Sequence, residues 1–203
     1  MRTLLSLVRP SLSLLLLLTV LTGVAYPALV TGLAQALFPR AANGSLVTAS
    51  DGRVVGSALI GQSFAEPGHF WGRPSSLSPR PYDASTSGGS NLGPTNPALT
   101  ETVRERVAAL RATDPGNDRP IPIDLVTASA SGLDPDLSPA AALWQVPRVA
   151  RVRGLTEAAV RTLVEARIER PPLGILGAPR VNVLRLNLAL DALGGGGPGA
   201  VGD

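Results

Sequence analysis

From Pro10 to Pro39 the chain carries no charged residue, a run of thirty bracketed by Arg9 and Arg40. Its first part, SLSLLLLLTVLTGVAYPALV, is dense in Leu and Val. A helix crosses a hydrocarbon core with about 20 apolar residues at about 1.5 Å each. The run therefore predicts one membrane-spanning helix over 10–36, with a short segment 1–9 before it. Ser13, Thr19 and Thr22 can bond back to the helix backbone, which makes them cheap in an apolar medium. Pro27 lacks an N–H and should kink or weaken the helix near its far end. The rival reading is a cleaved signal peptide, with Arg2 and Arg9 ahead of the apolar run and Ala34-Gln35-Ala36 as the cleavage site. The run exceeds the about 7–15 apolar residues usual for such a leader, which favours a retained anchor. In either reading Arg2 and Arg9 stay cytoplasmic, and the chain after Phe38 is extracytoplasmic.

The remainder constrains chemistry mostly by what it lacks. Cys is absent, which excludes disulfides, thiol catalysis and Cys-ligated metals. His69 is the single His of 203 residues, so a multi-His metal centre is excluded too. All 18 basic residues are Arg, and the pI is about 10.5. With Arg2 and Arg9 set aside, sixteen Arg face fifteen acids. That near balance offers no basic field of the kind that neutralises several phosphates, so a nucleic-acid partner is not expected.

Residues 40–193 suffice for one compact core. Ser45–Ala49 and Arg53–Ile60 are β-branched and aliphatic, and Ser50-Asp51-Gly52 between them supplies hairpin chemistry. From Gly61 to Asn96 periodicity disappears, yet Phe64, Phe70, Trp71 and Tyr82 lie here, four of the chain's seven aromatics. A disordered linker is poor in aromatics, so this stretch reads as an ordered loop wrapping the core or a partner. Asn96-Pro97 then caps a helix with Leu99, Val103, Val107 and Leu110 on one face. Ile121–Ala128 reads as an edge strand, because Pro122 cannot donate to a ladder. Ser138-Pro139 caps a second helix that Pro147 should bend or end, and Gly154 closes the segment after it. Thr156 caps a third, with Val160, Leu163, Val164 and Ile168 on one face, until Pro171-Pro172. Val181–Leu193 is strand-like at first and helix-like later; helix is the preferred reading, with Asn182 as cap. Residues 194–203 form a Gly-rich tail expected to be disordered. The fold class expected is α+β, with a small sheet (hairpin plus edge strand) and about four helices.

Candidate chemistry is sparse. His69 lies in PGHFWG without a G-x-S-x-G elbow, so no catalytic residue is assigned. Asp134 and Asp136 in GLDPDLSP suit a turn or a helix start better than a paired acid and base. Thr86–Asn96, TSGGSNLGPTN, could form an anion-binding nest of backbone N–H groups, but it lacks the Lys and spacing of a phosphate loop. A tight structural turn is the simpler reading.

Six strings in order carry a resemblance: GSALIGQSF (Gly56–Phe64), FWGRPS (Phe70–Ser75), SGGSNLGPTNP (Ser87–Pro97), IPIDLVTASASGLDP (Ile121–Pro135), SPAAALWQVPRVARVRGL (Ser138–Leu155) and LGILGAPRVNVLRLNLALDAL (Leu173–Leu193). Behind a single apolar segment, they resemble the C subunits of the potassium-translocating Kdp P-type ATPase. Two departures stand out: Asp136, where the family often has His, and Ala178, where it often has Glu. The resemblance implies a non-catalytic, single-pass subunit of a bacterial inner-membrane complex that imports K⁺ at the expense of ATP. It implies as partners a channel-like A subunit, an ATP-hydrolysing B subunit, a small F subunit and the bilayer. It implies a role in assembly and activity, described for the family as a catalytic chaperone that raises the pump's affinity for ATP. It also implies ATP as a ligand at Ser87, Gly88, Gly89, Ser90 and Asn91, whose SGG resembles the ABC-transporter signature.

Two readings follow. In one, the loop Gly61–Asn96 docks on the A subunit's outer mouth, with Gln62, Phe70, Trp71, Arg73, Asn91, Thr95 and Asn96 in contact. In the other, the Gly-rich turn binds ATP directly. A secreted or anchored extracytoplasmic binding or hydrolase domain unrelated to transport is the third alternative.

Overall fold

The computed structural model describes residues 2–49, 52–171, 174–175 and 177–194. It divides after Ser45 into two compact units.

The first unit is the predicted helix. α1 (Arg2–Val20) passes through a π-helical turn, Leu21–Ala25, into α2 (Tyr26–Leu37). Ser6–Leu37, 32 residues, is long and apolar enough to cross a membrane. None of the residues from Leu21 to Leu37 is buried. Pro27 does not end the helix. The widened turn lies immediately before it, where the missing N–H and the ring would otherwise disturb α-helical bonding. Thr22 Oγ donates to the Leu18 carbonyl at 2.7 Å, the back-bond its position allows. Phe38 leaves helical geometry, and Pro39 opens a single further turn, α3 (Pro39–Ala42).

The second unit starts with the predicted hairpin, β1 (Leu46–Thr48) antiparallel to β2 (Val54–Ser57), with a register irregularity at Val47/Thr48. Gly52 takes φ +81°, the left-handed conformation that the turn requires. Ser50 and Asp51 lie outside the described residues.

Four helices follow the long loop: α4 (Pro97–Thr113), α5 (Pro139–Arg153), α6 (Glu157–Ala166) and α7 (Val183–Leu193). Each starts at its predicted cap. Asn96, Ser138, Thr156 and Asn182 accept from the N–H groups of Ala98, Ala141, Ala159 and Arg185. α5 sits at the centre, with Ala141, Ala142, Trp144, Val146, Val149 and Ala150 buried. α6 covers it with Val160 and Val164, and α7 with Val183, Leu186 and Leu190. α4 adds Leu110, with Val103 and Val107 half-buried. Arg170 and Pro171 follow α6 outside helical structure, and Pro172 lies outside the described residues. Of the 194–203 tail only Gly194 is described.

Two expectations are corrected. α5 runs through Pro147 to Arg153 and stops at Gly154, which adopts φ +65°. The burial of Trp144, Val146, Val149 and Ala150 around the proline outweighs the about 3 kcal/mol that an interior Pro costs. Ile121–Ala128 is not an edge strand. It holds a 3₁₀ turn, Ile123–Leu125, and its consecutive residues Leu125 and Val126 are both buried, unlike the alternation of a strand with one face in solvent. The second sheet lies elsewhere: β3 (Asp136–Leu137) pairs antiparallel with β4 (Val181–Asn182). Strand character at the start of Val181–Leu193 is thus limited to two residues ahead of α7.

Candidate functional site, a clamped aromatic loop

Residues 61–96 contain no helix or strand, yet they are fastened to the core along their length. Gly61 N–H donates to the Leu133 carbonyl at 2.8 Å. A Cβ on Gly61 would stand 2.5 Å from the Asp134 carbonyl oxygen and 2.6 Å from the Tyr82 ring, so only glycine fits. Gln62 donates to the Val55 carbonyl at 2.8 Å, tying the loop to the hairpin.

The firmest attachment is at Phe70-Trp71. The Phe70 ring is fully buried. On α7, the Asn187 side chain accepts from Phe70 N–H at 2.8 Å and donates to the Phe70 carbonyl at 3.0 Å. On α5, the Gln145 side chain accepts from Trp71 N–H at 2.8 Å and donates to the Trp71 carbonyl at 3.0 Å. Two buried amides thus supply the backbone pairing that a neighbouring strand would otherwise give. Without them, buried N–H and C=O groups would go unsatisfied.

Arg148 backs this clamp. It is fully buried, donates to the Pro67 carbonyl and, at 2.6 Å, to Gln145 Oε1, and lies 4.7 Å from the Trp71 ring centroid. No carboxylate pairs with it among the described residues, and its Nε–H has no partner. Burial lowers its pKa to about 10, so the guanidinium stays charged near neutrality, held by carbonyls and the indole face. Arg153 adds a third tie, donating to the Gly68 carbonyl at 2.7 Å and to Asp191 at 2.6 Å. Asp191 also lies 3.3 Å from His69 Nε2, which makes His69 a packed loop residue beside the Phe64 ring. Arg73 reaches the carbonyls of Thr127 and Ala128 and pairs with Asp134 at 3.3 Å.

Tyr82 folds the next segment back. Its hydroxyl donates to the Arg73 carbonyl at 2.5 Å, and burial, reinforced by the Asp134 carboxylate, pushes its pKa up to about 12. Between this segment and α4 lies a cleft of about 270 Å³ walled by Phe64, Trp71, Tyr82, Leu110 and Leu125, with Arg106 at its edge. Arg106 donates to the Val126 carbonyl at 2.9 Å, and burial holds its pKa below the usual arginine range.

The Gly-rich turn packs on Ser129–Gly132. Gly88 N–H donates to the Ser131 carbonyl at 2.9 Å, and Ser87 Oγ reaches the same oxygen at 3.3 Å. A Cβ on Gly89 would stand 3.1 Å from the Ala130 carbonyl oxygen. Ser90 and Asn91 are exposed, and Asn91 takes φ +53°, which Asn tolerates better than most residues.

The sequence-derived contact residues therefore separate. Phe70 is core, Gln62, Trp71 and Arg73 are half-buried, and Asn91, Thr95 and Asn96 are exposed, Asn96 also capping α4. Asp134 accepts from Asp136 N–H in a turn, while Asp136 pairs with Arg180 at 3.2 Å and accepts from Asn182. Desolvation raises the Asp136 pKa. No cluster of three or more potential metal ligands occurs among the described residues. The clamps Gln145, Arg148 and Asn187 were missed in the sequence. Their only local signal is a polar residue on an otherwise apolar helix face, in LWQVPRV and LRLNLAL.

Comparison with known proteins places these features. The family model described as KdpC: K⁺-transporting ATPase, c chain, matches residues 8–192. A protein of Polaromonas naphthalenivorans (strain CJ2) named Potassium-transporting ATPase KdpC subunit is 64% identical over 188 residues, 93% of this chain and 95% of its own length. Proteins of the same name from Variovorax paradoxus (strain S110) and Sorangium cellulosum (strain So ce56) are 63% and 64% identical, covering 91% and 90% of this chain and 95% and 96% of their own.

Proposed function

This chain belongs to the KdpC family of K⁺-transporting ATPase subunits, and from that premise we propose that its second unit docks through the clamped loop onto the channel-like subunit of the complex, at the outer membrane face. The observation that carries this reading is the double clamp. Gln145 and Asn187 fix the backbone of Trp71 and Phe70 from behind, and the same loop presents exposed Arg80, Asn91 and Thr95. A loop held in one conformation loses little entropy on binding, which favours a preformed docking edge. The side of the membrane follows from Arg2 and Arg9 ahead of the apolar helix, since short flanks rich in Arg stay cytoplasmic. The helix anchors the chain in the bilayer, and the subunit serves assembly and activity without catalysing a reaction itself.

The Ser87–Asn91 turn serves as an edge of this loop rather than as a nucleotide cradle. Gly88 N–H, which a phosphate nest would need, is engaged by Ser131. Any effect of the subunit on ATP use by the pump then passes through the docked assembly. Titration of the full chain in detergent with labelled ATP is expected to show no saturable binding; saturable binding would return the turn to the role of nucleotide site.

Docking itself is tested by placing a photocrosslinking residue at Asn91 or Thr95 in membranes that hold the whole complex. Capture of the channel-like subunit is expected. Capture of the ATP-hydrolysing subunit alone would refute the reading.

A further inference from the structure

We propose that the cleft between the clamped loop and α4 seats an acidic side chain, together with an apolar neighbour, from an extracytoplasmic segment of the partner subunit, with Arg106 receiving the carboxylate. The proposal rests on the docking reading above and names the chemistry of one contact within it.

The aromatic Phe64, Trp71 and Tyr82 and the aliphatic Leu110 and Leu125 line the cleft. Such a surface gains from covering by apolar atoms. At about 270 Å³ the cleft falls just below the about 300–1,000 Å³ usual for pockets that take drug-sized ligands, and it suits one or two side chains. Arg106 also lines the cleft and forms no ion pair among the described residues. Arg106 is half-buried and makes one hydrogen bond, to the Val126 carbonyl, and no carboxylate lies within 4 Å of its guanidinium among the described residues. A guanidinium has five N–H donors in a planar fork shaped for a carboxylate. Four of them here remain for a ligand.

The surroundings explain why the occupant should be acidic. Glu105, whose charge acts on Arg106, is its exposed sequence neighbour on α4 and forms no ion pair with it. The other guanidinium close to the cleft, Arg148, lies behind the Trp71 indole and is engaged by Pro67 and Gln145. A cationic or neutral polar occupant would leave Arg106 uncompensated beside an apolar wall. An anion carried on an apolar body satisfies both halves of the site.

The test uses the assembled complex in native membranes, with a photocrosslinking residue at Ala109, an exposed position on the rim of the cleft. Capture of a partner peptide that contains Asp or Glu beside an apolar residue is expected. Arg106→Glu should lower that yield about tenfold, the effect of one lost charge pair of moderate strength, while Arg106→Lys should retain part of it. Because Arg106 also holds Val126, a second variant leaves that bond intact: Ala109→Trp should fill the cleft and weaken recovery of the complex. Crosslinking from Asn91 is the control. If it still captures the partner while Ala109 captures none, or while Arg106→Glu leaves the Ala109 yield unchanged, the cleft proposal fails and docking stands. If both positions fail, docking itself fails. Capture of lipid alone from Ala109 would overturn the proposal.

Discussion

Asn187 and Gln145 show how single side chains can hold a long irregular segment. Each amide satisfies one N–H and one C=O of the loop backbone in a buried setting. Asn187→Ala should strand both Phe70 groups and destabilise the chain by about 2–4 kcal/mol, read as a lowered Tm for the full chain in detergent. An unchanged Tm would mean that water replaces the amide without loss. Tyr82 supplies a prediction in pH. An unfolded tyrosine titrates near 10, and Tyr82 in the fold near 12. The preference of the fold for the neutral phenol is therefore fully present below pH 10 and is lost as the pH rises toward 12. Tyr82→Phe should flatten this alkaline fall in stability while losing the bond to Arg73. A variant that keeps the wild-type alkaline profile would assign the fall to other groups. Neither clamp was legible in the sequence beyond a lone polar letter, because the partners stand 117 and 74 residues apart.

At the scale of elements, local chemistry was readable and remote pairing was not. Asn96-Pro97, Ser138-Pro139, Thr156 and Asn182 mark four helix starts, each set by a side chain and an N–H two or three residues on. The hairpin was equally local. The pairing of Asp136–Leu137 with Val181–Asn182 joins two-residue strands far apart in sequence, too short to leave a periodic signal. Ile121–Ala128 misled because its β-branched composition resembles a strand, whereas Pro122 leads into a 3₁₀ turn at Ile123–Leu125. The seat of the Gly-rich turn can be tested here. Gly132 has φ +70°, and a Cβ there would stand 2.5 Å from Leu77 Cγ and 3.0 Å from the Gly88 carbonyl oxygen. Gly132→Ala should cost at least about 2 kcal/mol and loosen Ser87–Ser90, detectable as faster amide exchange at Gly88. Pro147→Ala should act in the opposite direction, stabilising α5 by up to about 3 kcal/mol, since the helix already runs through this position.

For the whole molecule, the decisive feature is the one most visible in the sequence. The uncharged run becomes, as far as Leu37, a helix able to cross a membrane, and the following unit carries an irregular loop locked onto a helical core. A clamped loop and a helix long and apolar enough to cross a membrane suit a subunit that works by contact with other subunits. The central claim is that anchor and loop together attach this chain to its complex. It is tested most directly by co-purification of a tagged chain from cells that contain the remaining subunits of the K⁺-transporting ATPase. The account predicts that the full chain recovers the channel-like and ATP-hydrolysing subunits, and that a chain starting at Phe38 and exported by a cleavable leader recovers far less of both. A full chain that purifies alone, or a truncated chain that recovers the complex as well as the full one, would contradict it.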